Sequence, residues 1–247
     1  MPVNRVAAIY DIHGNLPALR AVLGEIESLG VDHVLVGGDV VPGPLAGECL
    51  DVLLSLPIPA SFLRGNGERN VVSAVCGGEL DPFPEPVREA LNWVAGRLSP
   101  EQLTELATWP LTHRLEVQDL GPVLFCHATP RSDNEIFTSA TAEEVLKPLF
   151  EDEDADVVLC GHTHIQFDRR VGGVRVINAG SVGMPFGEPG AFWALLGPEG
   201  VELRRTSYDL EAATERLAAT GYPMAFEIRR PPAAAQMLEI FEAAVLR

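Results

Sequence analysis

An α/β fold of two packed mixed β-sheets with helices outside is what this sequence predicts, and three observations carry it. The first third alternates short apolar strands with amphipathic helices. The later half holds two hairpins turning at glycine. With 247 residues, 47% of them hydrophobic and 21% charged, the chain can bury a core of that size.

Residues 5–10 read as a buried strand, and Leu16, Leu19, Leu23, Ile26 and Leu29 then recur at helical spacing until Gly30 stops the helix. A second strand over 33–39, a helix over 46–55 and a third strand over 58–64 complete a β-α-β-α-β run, which implies parallel strands and right-handed crossovers. Gly65-Asn66-Gly67 follows as apparent turn chemistry. Val87, Leu91, Val94 and Leu98 place a helix over 84–97, and Ser99 with Gln102 forms a capping box for a short helix to Thr108. Strands over 112–118 and 122–126 are separated by Gly121-Pro122. Thr141 with Glu144 caps a helix to Phe150, and 155–161 is again strand. Hairpins over 166–180 and 191–208 turn at Gly172-Gly173 and Pro198-Glu199-Gly200. The reading is one domain over 1–247, with a core at about 5–208 and a helical extension at about 209–247, broken at Gly221–Pro223 and Pro231-Pro232.

The formal charge of −17 argues against long nucleic acids as partners, whose affinity comes largely from Lys and Arg on phosphates. It is compatible with a site whose bound cations reverse the local field. The chain opens straight into a strand without a basic, then apolar, leader, and no apolar run is long enough to span a bilayer. A cytoplasmic location and no membrane partner are therefore expected, with the four cysteines reduced.

The polar residues collect at strand ends. Asp11-Ile12-His13-Gly14-Asn15, Gly37-Gly38-Asp39, Gly65-Asn66, Cys126-His127 and Gly161-His162-Thr163-His164 each follow an apolar strand. Ligands in such sheets bind at the carboxyl ends of strands. Asp11 with His13, and His162 with His164, are i, i+2 pairs whose side chains point one way in extended chain. Alone, His127 reads equally well as a core histidine. Together the seven candidates supply oxygen and nitrogen ligands without a thiolate, too many for one ion but enough for two that share Asp39.

These five ordered motifs resemble the calcineurin-like metallophosphoesterase superfamily, and most of all its compact bacterial phosphodiesterases. The resemblance runs from Val6 to Tyr208, and residues 177–185, "INAGSVGMP", are similar to a loop of that branch. It implies a four-layer α/β/β/α sandwich. It also implies two divalent ions, Mn²⁺ first with Fe or Zn²⁺ as alternatives. Asp11, His13 and His164 would hold one, Asn66, His127 and His162 the other, with Asp39 bridging. A hydroxide between the ions would attack the phosphorus of a small phosphodiester or phosphomonoester, with Asp39, Asn66 and His127 acting in catalysis. Asn15, Arg64 and Arg131 are the substrate-contact candidates. The oligomeric state stays open, a homodimer included.

One position departs from the family. Many members carry a histidine after the asparagine, and Gly67 stands here instead. The imidazole that would assist the leaving group is missing, which narrows the expected substrates to esters with good leaving groups. His33 and His113 lie at strand starts, the wrong end for a replacement, and Glu68 reads as a solvated loop charge or a carboxylate steering a ligand histidine. Two other readings stand beside this one. A pyrophosphatase acting on dinucleoside polyphosphates needs base-stacking aromatics, and Trp93, Trp109 and Phe83 read rather as core. A regulatory module that binds metal with little turnover is favoured by Gly67 and opposed by the complete ligand set.

Overall fold

A computed structural model describes residues 2–246. Its first sheet has the order β10-β9-β1-β2-β3, built from β1 (Val6–Ile9), β2 (His33–Val36), β3 (Ala60–Phe62), β9 (Ala191–Gly197) and β10 (Gly200–Thr206). The second has the order β4-β5-β6-β8-β7, from β4 (Thr112–Val117), β5 (Gly121–Cys126), β6 (Val157–Cys160), β7 (Phe167–Val171) and β8 (Val174–Asn178). Parallel and antiparallel pairs occur in both. The last hairpin returns to the first sheet, where β9 pairs antiparallel with β1.

Period-two alternation along β1 explains the layering. Ala7 and Ile9 face a core shared with α1 (Leu16–Ser28), α2 (Ala46–Leu54) and residues of α3 (Asn66–Cys76), α4 (Glu85–Ala95) and α5 (Pro100–Thr108). Val6, Ala8 and Tyr10 face the other way, into a core between the sheets that includes Val123, Phe125 and Leu159. A third core lies between the second sheet and α6 (Glu143–Phe150). Three apolar seams thus hold a helix–sheet–sheet–helix sandwich. Beyond β10, α7 (Leu210–Ala218) buries Ala213 and Leu217 against the first seam. The chain then reaches α8 (Ala234–Glu242), whose Glu242 accepts hydrogen bonds from Thr138 and Thr141.

Several local expectations need correction. Gly65-Asn66-Gly67 is no turn: α3 begins at Asn66, and Glu68 closes its first turn by accepting from Gly65 N–H at 2.8 Å. Gly121 and Pro122 lie inside β5, and the reversal comes earlier, with Asp119 in the left-handed region at φ 62°. Thr141 does not cap α6, because its hydroxyl accepts from Thr138 N–H and donates to Glu242 instead.

Tyr10 sets the separation of the sheets where it matters most. Its fully buried ring reaches across the middle seam and its hydroxyl donates to the Leu159 carbonyl at 3.2 Å. Gly37 and Gly161, which precede Asp39 and His162, make room for it. A Cβ on Gly37 would lie 1.9 Å from the tyrosine ring, and one on Gly161 would lie 2.7 Å from it. Gly37→Ala should therefore destabilise the fold by about 1–3 kcal/mol through overpacking. Tyr10→Phe, which removes one hydrogen bond, should cost about 1 kcal/mol. Urea denaturation checks both, and a neutral Gly37→Ala would refute the packing account.

Candidate metal centre

The loops that follow the strands are stitched to one another past the ends of the sheets. Asp11 N–H donates to Gly38 O, His13 N–H to Asp39 O and Gly14 N–H to Val40 O, at 2.9–3.0 Å. From the other side, residues 177–185 close on the same loop: Val182 and Gly183 donate to the carbonyls of Tyr10 and Asp11, and Ser181 Oγ donates to Asp11 O at 2.7 Å. This frame imposes an unusual backbone. Of the seven non-glycine residues with positive φ among the described residues, five are candidate ligands: Asp11, His13, Asp39, His162 and His164. That region costs an L-residue about 1–2 kcal/mol, and such strain persists where surrounding bonds over-determine it. The i, i+2 pairs therefore converge through left-handed bends, not through extended chain as the sequence suggested.

The frame brings the ligand candidates together. Nε2 of His164 lies 3.3 Å from Asp11 Oδ1 and 3.2 Å from Nε2 of His13. Nε2 of His127 lies 3.8 Å from Asp11 Oδ1 and 3.6 Å from Asp39 Oδ1, while Asp39 Oδ2 lies 3.7 Å from His13 Nε2. Asp11, His13 and His164 form one candidate ligand group, and Asp11, Asp39 and His127 another. His162 packs its ring edge against His127 with centroids 5.1 Å apart. The Asn66 carboxamide oxygen is buried at the start of α3, one residue after Gly65, where an added Cβ would lie 2.9 Å from the His127 ring.

Each imidazole has one nitrogen fixed by a backbone carbonyl. Nδ1 of His13, His127 and His164 face the carbonyls of Pro42, Gly37 and Met184 at 3.3, 2.9 and 2.7 Å, and Nε2 of His162 faces that of Asn134 at 3.2 Å. A carbonyl only accepts, so the facing nitrogen carries the proton and the other keeps its lone pair for an ion. Buried Asp11 Oδ1, Asn66 Oδ1 and His127 Nε2 have no hydrogen-bond partner. Asp11 Oδ1 and His127 Nε2 lie 3.8 Å apart, and two buried orphaned acceptors this close are what a cation site requires, so the donor set fits divalent ions.

The electrostatics agree. Burial, then the charge of Asp11, pushes Asp39 well above the usual carboxylate range. Burial also opposes charge on Asp11, but the imidazoles of His164 and His127 outweigh it and hold its pKa low. Two carboxylates this close cannot both ionise easily without a cation between them. His13 and His162 are pushed down to about 3, first by burial and then by neighbouring imidazoles, which leaves them neutral as ligands must be.

Other candidates land differently. Asn15 is fully buried: its oxygen caps α1 by accepting from Ala18 N–H, and its amide donates to Gly183 O and Tyr208 Oη, so it faces protein and not substrate. Arg131 is exposed and ion-paired with Glu135. Arg64 lies at the rim, its Nε 3.2 Å from Asp133 Oδ2. His33 and His113 share Ser61. For His113 the expected wrong end needs correction, because β4 runs antiparallel to β5 and its start pairs with the end of β5 that leads to His127. Glu68 is not a solvated charge. It is fully buried and accepts from the N–H groups of Asp39, Val40, Val41 and Gly65 at 2.8–3.1 Å. Burial, then Asp39, lifts its pKa to about 7.

The two glycines beside Asn66 supply space, not positive φ. A Cβ on Gly65 would lie 2.2 Å from Asp39 Oδ1, and one on Gly67 would lie 2.0 Å from Val41 O. Gly67 N–H donates to Asp39 Oδ1 at 2.7 Å, which fixes that carboxylate. Sequence reasoning missed Phe186, whose ring stacks on His164 at 5.2 Å with 17° between planes. A phenylalanine in a loop carries no signal of that role, and neither do the four carbonyls that orient the histidines.

A family model described as the calcineurin-like phosphoesterase superfamily domain matches residues 5–197. The chain belongs to that superfamily. Its members typically hold divalent metals, and the groups above are the candidate ligands here. An uncharacterized protein of Methanocaldococcus jannaschii is 28% identical over 245 residues, covering 90% of this chain and 96% of the relative. Among solved structures, a metallophosphoesterase from Sphaerobacter thermophilus superposes with a TM-score of 0.69 at 24% identity, covering 98% of this chain and all of that one. A hypothetical protein from Pyrococcus horikoshii OT3 gives 0.75 at 19% identity, covering 96% and 97%. Both likenesses concern the fold. Among the described residues no helix is long and apolar enough to cross a membrane.

Glu68→Gln keeps one acceptor oxygen where four N–H groups need two. It should cost about 2–4 kcal/mol from orphaned donors and weaken metal binding roughly 10–100-fold by loosening Asp39. Denaturation and calorimetric titration with Mn²⁺ check the two effects. Unchanged metal affinity would show that Asp39 needs no such clamp.

Proposed function

We propose that this chain is a dinuclear-metal phosphoesterase that hydrolyses small phosphodiesters or phosphomonoesters. The observation that carries the proposal is the pair of orphaned acceptors Asp11 Oδ1 and His127 Nε2, 3.8 Å apart among histidines already set in ligand tautomers, with Asn66 Oδ1 a third buried orphan at the start of α3. Asp11, His13 and His164 hold one ion in this reading, and Asn66, His127 and His162 the other. Asp39 lies between, with one oxygen toward His127 and one toward His13. Mn²⁺ is the first choice for this mixture of carboxylate, imidazole and amide, and Fe or Zn²⁺ also suit it. Bound there, two divalent ions supply an ionised water near neutral pH and offset charge on the phosphoryl oxygens.

The rest falls to the chain. Asp39 is held in one rotamer by Gly67 N–H, so the spacing between the two ligand groups is set before any ligand arrives. Asn66 contributes a neutral oxygen and keeps the site's net charge low. Gly67 brings no acid to the leaving group, and the Val41 carbonyl bars one from being added at that position. Esters whose leaving group departs without a proton are the natural substrates. Phe186 on His164 gives an aryl or other flat group an apolar surface beside the centre.

The same Gly67 supports a second reading, a regulatory module that binds metal with little turnover. The nucleotide reading gains no support from the tryptophans: Trp93 lies beneath Arg97 and against Tyr222, and Trp109 is buried on Phe62. Purified protein with Mn²⁺ should hydrolyse bis(4-nitrophenyl) phosphate and lose that activity to a chelator. Metal bound without turnover, across Mn²⁺, Fe²⁺ and Zn²⁺, would instead establish the module. Asn66→Ala should remove one of the two ions by elemental analysis, and wild-type occupancy in that variant would overturn the ligand assignment.

A further inference from the structure

Beside the candidate centre lies a chain of charges that the ligand set does not use. Arg69 donates through Nε to both oxygens of Asp133, and through Nη1 and Nη2 to the two oxygens of Asp81, at 3.0–3.1 Å. Asn70 joins this network, donating to Asp81 at 2.7 Å and to the Asn66 carbonyl at 2.7 Å. Every donor group of Arg69 is therefore engaged within the protein. Asp133 has a second cation at hand, Arg64, whose buried Nε lies 3.2 Å from Oδ2 without the alignment of a hydrogen bond.

Arg64 stands two residues before Asn66, and Asp133 stands one before Asn134, whose carbonyl orients His162. The guanidinium is thus placed at the rim on the side of Asn66 and His162. It makes no side-chain hydrogen bond among the described residues, and 37% of its side chain remains exposed. A fixed, half-exposed guanidinium with its fork free is suited to a phosphate, which it can meet with two parallel N–H groups. A guanidinium offers positive charge and N–H donors, so it assists a leaving group by charge.

From this geometry we propose that Arg64 receives a phosphate leaving group, which makes the preferred substrate class a phosphoanhydride. The proposal rests on the phosphoesterase reading and deepens it. In the step, a water-derived oxygen forms a new bond to phosphorus and the P–O bond to the terminal phosphate breaks. The bridging oxygen keeps the electron pair, so the phosphate departs as an anion against Arg64, and the water's proton passes to solvent. No general acid is called for, in keeping with Gly67. Asp133 acts as a positioning residue for Arg64, and Arg69 keeps Asp133 in place.

The test compares a nucleoside diphosphate with bis(4-nitrophenyl) phosphate, using Mn²⁺-loaded full-length protein. The expected result for Arg64→Ala is a loss of roughly 100-fold in kcat/KM on the diphosphate, the scale on which one positioned charge donor acts. The diester should lose less than about threefold, because its phenolate spreads its own charge. Arg64→Lys should recover part of the anhydride activity, and Arg88→Ala, at an exposed arginine paired with Glu85, should leave both substrates unchanged. Equal losses on the two substrates, or no loss on either, would overturn the proposal. Calorimetric binding of inorganic pyrophosphate to the metal-free full-length protein, which cannot turn it over by the proposed mechanism, gives an independent readout, expected to weaken at least about tenfold in Arg64→Ala. A wild type that binds pyrophosphate through Arg64 yet hydrolyses neither substrate would refute the phosphoesterase reading while keeping the anion site.

Discussion

Two carboxylates, Asp11 and Asp39, are buried among four imidazoles with too few hydrogen bonds to satisfy them, and most of the surrounding structure follows from that constraint. A low-dielectric interior penalises unpaired polar atoms strongly, and it strengthens any cation that meets them. The protein accordingly spends its backbone carbonyls on the outer nitrogens of the histidines and a backbone N–H on one oxygen of each carboxylate. His162 N–H donates to Asp11 Oδ2, and Gly67 N–H to Asp39 Oδ1. The lone pairs that remain have only the centre to face.

Holding them there requires that several loops stop moving relative to one another. Tyr10 fixes the distance between the sheets, residues 177–185 bind the loop after β1, and Glu68 binds the loop after β2 to the start of α3. Small residues stand wherever these parts come closest. Gly37, Gly65, Gly67 and Gly161 would each drive a Cβ into a ring, a carboxylate or a carbonyl. The strained backbone at Asp11, His13, Asp39, His162 and His164 is the local consequence of that crowding.

Gly67 shows how one substitution can reach beyond its own side chain. With no imidazole there, the Val41 carbonyl occupies the adjoining space, and Arg64, ion-paired with Asp133, stands three residues earlier in the chain. Under the proposed function, charge in place of a proton would change which leaving groups are served.

By itself the sequence determined the α/β class, the order of the elements and the placement of Asp11, His13, Asp39, Asn66, His127, His162 and His164 at strand ends. Apolar periodicity and side-chain type are local properties, and they can be read one residue at a time. Only the tertiary structure decided that β9 returns to pair with β1, that Asn66 opens a helix, that Glu68 is a buried clamp and that Asn15 faces inward. Those outcomes depend on backbone groups and on empty space, such as the carbonyls behind four histidines and the room that Gly67 leaves for Val41. Neither has a letter in the sequence, because every residue carries the same amide and its surroundings exist only once the chain has folded.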